Sequence, residues 1–534
     1  MIKKIYIENF KLFSNFTLEF RDECNIIVGD NESGKSTLLE AINIALTRRF
    51  NGRFLESELT SHLFNQGAVR AFFGALKRGE NATPPRILIE LTFADDPGLE
   101  FLRGTNNSQR EDALGVRVEV VFNDEYAVEY ARFTEEKTGN TSLPTEYYKV
   151  NWLAFSGNPV PTRGLPLLTT LIDASTIRLQ SGTDYYMQGV INDTLDPKEK
   201  VELSIAYRAL KEEFYAKPSI GAINQRLELN HGDLSAKKLS VGLDVSQRAG
   251  WESGIVPHLD EIPFQYIGKG EQSRLKILLA LQRHTGLSRV ILIEEPESHL
   301  SYSSLNELVS QIEDKCRGKQ VVMTTHNAFV LNKVGLDRLV LLAGQKELRL
   351  SALSGETEQY FKKLPGYDTL RLILAKKIVL VEGPSDELIL QKAYRLAHGS
   401  WPHEAGIDVM SVGLAFGRFL EIAAILAGIQ VVVVTDNDGN PDRVQTKFAE
   451  FEGFPNIHVC FSKDTDLRTL EPHMAAVNSP EVLSRVLGRS FNTREDASEY
   501  MLANKTESAL KIFEYQGEGL NFPAYIQEAV HAVK

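Results

Sequence analysis

Apolar positions repeat with two different periods along this chain, and the switches between them outline its architecture. The N-terminus opens on strand-like alternation at Ile2, Ile5 and Ile7, and a second strand follows around 16–20. A continuous apolar run at 25–28 then enters a glycine-containing turn and a helical stretch from about 35 to 46. That is a strand–loop–helix unit of the α/β kind. Segments 86–93 (RILIELTF) and 116–122 (VRVEVVF) alternate with period two and read as half-buried antiparallel strands. Between about 180 and 250 the pattern turns helical, with KEKVELSIAYRALKEEFYAK followed by INQRLELN. Strand and helix then alternate again through VILIEEPE and VVMTTH. Past a compositional seam near 345–370 a fresh unit begins with the buried runs 377–381 and 430–435, separated by a helix. Valine-rich runs joined by helices predict a parallel sheet. The expectation is two α/β domains, with a helical insertion in the first.

Composition narrows the classes. At 534 residues the chain holds two to four domains of usual size, and 43% hydrophobic and 24% charged residues suit a globular protein with substantial cores. A net charge of −12 argues against a surface coated in base but leaves room for a local basic groove. The three cysteines, Cys24, Cys316 and Cys460, are widely spaced and form no CxxC pair. That predicts no structural zinc or disulfide framework and a reducing, cytoplasmic setting. The first residues do not read as a signal peptide, and no run is long and apolar enough to span a membrane.

Two sets of residues carry chemistry. Gly29-Asp-Asn31-Glu-Ser-Gly34-Lys35-Ser36-Thr37 matches G-x-x-x-x-G-K-[ST] in full, between a predicted strand and a helix. Such a loop wraps phosphate with backbone N–H groups at a helix N-terminus. Lys35 would reach the terminal phosphates of ATP, and the Ser36 hydroxyl would reach Mg2+. The strand 291–293 ends in Glu294 and Glu295, suited respectively to holding the magnesium shell and to orienting attacking water. The segment Gly268-Lys-Gly270-Glu-Gln272 precedes it, and His326 follows the next strand.

The second set begins at Glu382, the last residue of KIVLVE, followed by Gly383-Pro-Ser385-Asp386. A second strand ends in Asp436-Asn-Asp438-Gly439. Period two would point Asp436 and Asp438 the same way. Carboxylates gathered at strand ends repel one another, and divalent cations relieve that repulsion; oxygen donors suit Mg2+ or Mn2+. Arg48 and Arg49 close the P-loop helix. Lys376, Lys377, Arg418, Arg443 and Lys447 lie near the acids in sequence and are candidates to follow a phosphate backbone.

The four nucleotide pieces, in this order, resemble the ATP-binding cassette heads of the SMC/ABC group. The resemblance implies that the Gly270 segment caps the γ-phosphate of a second head and that His326 is a switch histidine. Glu294 stands where many such ATPases carry aspartate, which predicts slow or absent hydrolysis. The acid motifs resemble the Toprim domain, and the two together resemble the OLD family of nucleases, including the nuclease subunit of Gabija-like defence systems. By that resemblance the α/β chain comprises an ABC-type ATPase domain (1–180 and 250–350), a helical dimerisation insertion (180–250) and a Rossmann-like Toprim nuclease domain (370–534). Asp386 and Glu471 would join Glu382, Asp436 and Asp438 as metal ligands, and Lys505 would stabilise charge on the scissile phosphate. The implied protein is an ATP-regulated, metal-dependent DNA endonuclease of prokaryotic antiphage defence. It would form a dimer or tetramer through its ATPase domain, beside a helicase or other partner. An RNA- or tRNA-cleaving toxin effector, and an ATP-operated nucleic-acid clamp without cleavage, are the competing readings.

Overall fold

The computed structural model describes all residues except 81, 131–141, 162–164, 166–167, 174–178, 181–182, 185–194, 230–239, 242, 244–250, 252–255, 283–287, 316–317, 344–345, 351–352, 427 and 534. Parts of the predicted insertion, and Cys316, therefore lie outside the described residues. The rest falls into two compact units: Met1–Phe10, Glu19–Cys24 and Leu38–Thr324 form one; Lys11–Leu18, Asn25–Thr37 and Thr325–Lys534 form the other.

In the first unit the period-two segments pair antiparallel as expected. Strand β1 (Ile2–Phe10) pairs with β4 (Ile87–Phe93). The latter pairs in turn with β5 (Ala113–Phe122), and β5 with β6 (Tyr148–Ala154). Val116, Val118 and Val120 are buried on one face of β5, while Arg117 and Glu119 alternate with them. A parallel set runs through β7 (Leu168–Asp173), β8 (Ser288–Glu294) and β9 (Gln320–Thr324). Val290 to Ile293 are all fully buried, as a strand covered on both faces requires. The helical stretch resolves into α2 (Pro197–Tyr215), opened by a capping box on Asp196 and Glu199, and α3 (Pro218–Leu229). Two further helices, α4 (Lys269–Gln282) and α5 (Tyr302–Lys315), flank β8 in sequence.

The second unit holds β3 (Cys24–Gly29) from Asn25 on, the glycine loop and the first residues of α1 (Lys35–Thr47), which from Leu38 on belongs to the first unit. Strand β10 (Leu339–Ala343) pairs parallel with β3 and antiparallel with β11 (Lys346–Leu348). Short helices α6 (Ala328–Val334), α7 (Gly355–Lys363) and α8 (Thr369–Leu374) lead to a four-stranded sheet. Its strands are β12 (Lys377–Val381), β13 (Ile407–Ser411), β14 (Gln430–Val434) and β15 (Ile457–Cys460), in the order β13-β12-β14-β15 and all parallel. The valine runs are buried because helices cover both faces. Val379, Val381, Val432 and Val434 enter one core with Ile389, Leu390, Ile526 and Val530. The alternate residues Ile378, Leu380, Val431 and Val433 are equally inaccessible on the other face. The helices around this sheet are α9 (Pro384–His398), α10 (Phe416–Ile425), α11 (Pro441–Phe448), α12 (Leu470–Val477), α13 (Pro480–Leu487), α14 (Arg494–Ala503), α15 (Lys505–Glu514) and α16 (Ala524–Ala532). No described helix is long and apolar enough to cross a membrane.

Candidate active site

The acids gather at the carboxyl ends of the central strands, where open α/β sheets place their ligands. Glu382 follows β12 directly, and the backbone N–H of Asp436, two residues past the end of β14, lies close enough to lower the proton affinity of its carboxyl. Asp386 stands in the first turn of α9 and accepts the Gly383 N–H at 3.0 Å, capping the helix it belongs to. Glu471 opens α12. It is buried, accepts the Thr469 hydroxyl at 2.9 Å and meets Lys505 Nζ at 3.3 Å. Lys505, the first residue of α15, is half exposed.

Electrostatics shows how close this gathering is. Burial pushes the Asp436 carboxyl up to about 8; Asp386, Glu382 and Glu471 add to the shift and Lys505 opposes it. Asp386 is raised to about 6, again mainly by burial, with the Gly383 N–H opposing. Glu382 is raised by burial and then by Asp438, while Lys447 and Lys505 pull it down. Carboxyls from three chain segments thus raise the proton affinity of Glu382, Asp386 and Asp436, and the ammonium groups of Lys447 and Lys505 do not balance them. Oxygen donors in this number fit hard divalent cations, whose charge would replace the protons.

Asp438 takes its place by a different route from the one period two predicts. Strand β14 ends at Val434, and Asp438 adopts a left-handed backbone (φ 50°) with its N–H on the Arg468 carbonyl at 3.1 Å. Buried Asn437 fixes this turn. Its amide donates to the carbonyls of Ser462 and Asp464 at 3.0 and 2.6 Å, and its Oδ1 accepts the Gly439 N–H at 2.8 Å. Strand alternation stops where the ladder stops, so it is the turn that brings the exposed Asp438 within electrostatic reach of Glu382.

Sequence reasoning missed Tyr525, on α16. Its ring is buried, its hydroxyl has no hydrogen-bond partner, and Asp436, Asp386, Glu471 and Glu382 all raise its pKa beyond the effect of burial. An aromatic residue in a C-terminal helix carries no motif, so no sequence signal marked it. Of the predicted basic residues, Arg418 is engaged by the Thr357 hydroxyl (2.9 Å) and Glu356 (3.1 Å). Lys447 lies over the rings of Phe416 and Phe448 and acts on Glu382. Arg48 takes a left-handed conformation just past α1 and pairs with Glu56, while the Arg49 guanidinium sits 4.7 Å above the Phe54 ring.

The nucleotide residues divide between the units. In the second, Lys35 is buried and its Nζ donates to the carbonyls of Gly29 (2.8 Å) and Asp30 (2.9 Å), a loop folded around its own cation. Gly34 has φ +99°, and a Cβ there would fall 2.7 Å from the Phe13 ring, so only glycine fits. Asn31 and Ser36 are exposed and Thr37 is half-buried. The exposed His326 follows Thr325, whose N–H bonds the Ile27 carbonyl of β3 at 3.2 Å. In the same unit a cavity of about 520 Å³ is bordered by Asn31, Ser33, Leu342, Ile373, Lys376 and Ile429.

Glu294, Glu295 and Gly270 belong to the first unit. Glu294 ends β8, and Glu295 turns left-handed (φ 45°) with its N–H on the Thr324 carbonyl at 3.1 Å. Gly270 begins α4, and a Cβ on it would approach the His299 carbonyl to 2.4 Å. Buried Gln272 donates to the carbonyls of Phe264 and Ile267, so it braces the segment from within.

Comparison with known proteins groups all of these nucleotide residues in one match and the acids up to Asp438 in another. Residues 24–332 match the family described as AAA domain, putative AbiEii toxin, Type IV TA system. Residues 373–438 match the overcoming lysogenization defect protein-like TOPRIM domain. Glu382, Asp386, Asp436 and Asp438 fall inside that second match; Glu471, Lys505 and Tyr525 lie beyond it. The chain is 21% identical over 469 residues to Endonuclease GajA of Bacillus cereus (strain VD045), covering 81% of this chain and 74% of that protein. It is 33% identical over 127 residues to structural maintenance of chromosomes protein 6A of Arabidopsis thaliana, covering 22% of this chain but 12% of that one. The C-terminal region of the Xanthomonas campestris pv. campestris OLD protein superimposes with a TM-score of 0.24 at 20% identity, over 30% of this chain and 92% of that one, too loosely to equate residues. On the match that spans well over half its length, the chain belongs to the AAA-domain family described as putative AbiEii toxin, Type IV TA system, and it carries an OLD-like TOPRIM domain C-terminal to that ATPase domain.

Proposed function

We propose that this chain is an ATP-regulated, divalent-metal-dependent DNA endonuclease of the OLD-like kind, acting in prokaryotic defence against phage. The observation that carries the reading is the convergence of Glu382, Asp386, Asp436 and Glu471 around a site whose burial and mutual repulsion raise carboxyl pKa values. The relationship to a protein named as an endonuclease supports it. Glu382, Asp386, Asp436, Asp438 and Glu471 would hold Mg2+ or Mn2+. Bound there, two such ions would supply an activated water and a counter-charge for the departing oxygen.

The chain's own residues do the rest. Glu382 and Asp436 follow neighbouring parallel strands paired as far as Val381 and Val434, so the ends of β12 and β14 keep their spacing. Lys505, half exposed beside Glu471, faces an arriving phosphate and stabilises its growing negative charge. Exposed Asp438 marks the side from which the strand enters. The P-loop residues Asn31, Gly34, Lys35, Ser36 and Thr37, with Glu294, Glu295, Gly270 and His326, would bind ATP across paired copies of this chain. The cavity shared by Asn31 and Ser33 of the loop with Ile373 and Lys376, just ahead of β12, offers a path from nucleotide state to the acid site.

Plasmid nicking in Mg2+ or Mn2+, with and without ATP, tests the reading. The parent should nick and Glu382→Ala should not; equal cutting by both would refute the assigned site. Duplex DNA and tRNA run side by side separate the DNA reading from an RNA-cleaving effector. Retention of DNA without cutting would favour the clamp.

A further inference from the structure

A second group of metal-ligating side chains lies in the TOPRIM unit, apart from the acid cluster. His458 and Cys460 are two residues apart on β15, so both project from the same face of that strand. Strand β15 is at the edge of its sheet, and Glu528, midway along α16, comes down beside it. One donor atom from each of His458, Cys460 and Glu528 lies within 4.8 Å of the other two. The His458 and Glu528 side chains are 52% and 56% exposed and meet at 3.2 Å, while Cys460 is a buried free cysteine beneath them.

An exposed His–Glu pair by itself contributes little, about 0–1 kcal/mol. Cys460 also packs into the apolar core of the unit, where burial and then Glu528 push its thiol up to about 12, so a bound ion would have to displace that proton. Nitrogen, sulfur and oxygen donors together form the set that zinc takes, in tetrahedral sites with bonds of about 2.0–2.3 Å. Donors on such an ion stand roughly 3.3–3.8 Å apart, which follows from those bond lengths. The two exposed side chains need to close by only about 1 Å to reach that spacing, and both have the solvent freedom to do so.

We propose that His458, Cys460 and Glu528 form a zinc site, with water as fourth ligand, that pins α16 to the edge strand β15. Both elements lead to the acid cluster. The Cys460 carbonyl accepts the N–H of Thr435, the residue before Asp436, at 3.3 Å. Glu528 lies one helical turn after Tyr525 on α16. The ion braces from behind the strand that positions Asp436 and the helix that carries Tyr525. The sequence expectation of no structural zinc counted only cysteine pairs, and a mixed triad from β15 and α16 leaves no such spacing.

The test does not depend on nuclease activity, so it stands or falls separately from the function proposed above. Full-length protein, stripped of metal and held in excess Mg2+ to fill the oxygen-rich site, is titrated with Co2+ as a spectroscopic substitute for zinc. The expected result is one equivalent showing a thiolate-to-cobalt charge-transfer band, displaced by Zn2+. Cys460→Ser should abolish the band. His458→Ala, at an exposed position that leaves the core intact, should weaken binding by more than about tenfold. Absence of the band in the parent, its persistence in Cys460→Ser, or unchanged affinity in His458→Ala would each overturn the proposal.

Discussion

The P-loop and the acid cluster use one framework, a buried parallel strand ending in a turn that opens a helix, and give it opposite charge. At the end of β3 the loop folds around its own cation: the Lys35 ammonium already has the Gly29 and Asp30 carbonyls at 2.8 and 2.9 Å. At the ends of β12 and β14 four carboxyls converge, with Lys505 and, toward Glu382, Lys447 standing against them. The first site is satisfied before its ligand arrives; the second is strained without one. A loop that binds an anion can borrow backbone N–H groups and carbonyls, which carry no net charge. A site that binds cations through carboxylates must bring like charges together, and removing the ion leaves the repulsion in place.

That contrast can be broken most sharply at Glu382. Glu382→Ala should lower plasmid nicking in Mg2+ or Mn2+ by on the order of a thousandfold, about 4 kcal/mol of barrier. Lys35→Ala should weaken ATP binding by roughly a hundredfold or more, read by nucleotide titration, while the Mg2+ dependence of stability stays as in the parent. Lys505→Met should slow cutting at saturating metal by about a hundredfold; a change in apparent metal affinity with no change in maximal rate would show that Lys505 serves only to neutralise Glu471.

Stability against pH comes next. Asp436 titrates at about 8 in the fold against an ordinary 3.8, so the fold favours its protonated form. The stabilisation is complete below the ordinary value and is lost as pH climbs through about 8, a change of at most several kcal/mol. Thermal melts in EDTA should therefore fall across that window, and Mg2+ should restore the melting temperature most strongly at its alkaline end. A flat profile in EDTA would mean that the carboxyls do not crowd as described. The smallest effect belongs to Tyr525→Phe. Removing a hydroxyl that is buried without a partner should leave the metal-free protein as stable or firmer by about 1 kcal/mol. It should also lower the cutting rate severalfold if that hydroxyl meets a metal-bound water. Unchanged kinetics would assign Tyr525 to packing alone.

Strand identity was legible wherever hydrophobicity had one meaning. The valine runs at 377–381 and 430–435 could only be covered strands, and Glu382 and Asp436 followed from where those strands stop. Asp438 was found for a partly wrong reason, because its direction is set by Asn437 bridging to the carbonyls of Ser462 and Asp464 rather than by a pleat. Glu471 and Lys505 lie in short helices whose patterns resemble any surface helix, and only the family resemblance singled them out. Tyr525 and the His458–Cys460–Glu528 group come together through the docking of α16, which one-dimensional periodicity does not encode.

The charge balance of the acid cluster is finished late in the chain. Glu382, Asp386, Asp436 and Asp438 are in place by residue 438, but Lys505 and Tyr525 arrive only with α15 and α16. A gene copy cut short after its aspartates would still read as a TOPRIM domain while encoding an anionic pocket with neither its lysine nor its covering helix. Intact reading frames through α16, rather than motif content, are the fair criterion for counting working copies among genomes.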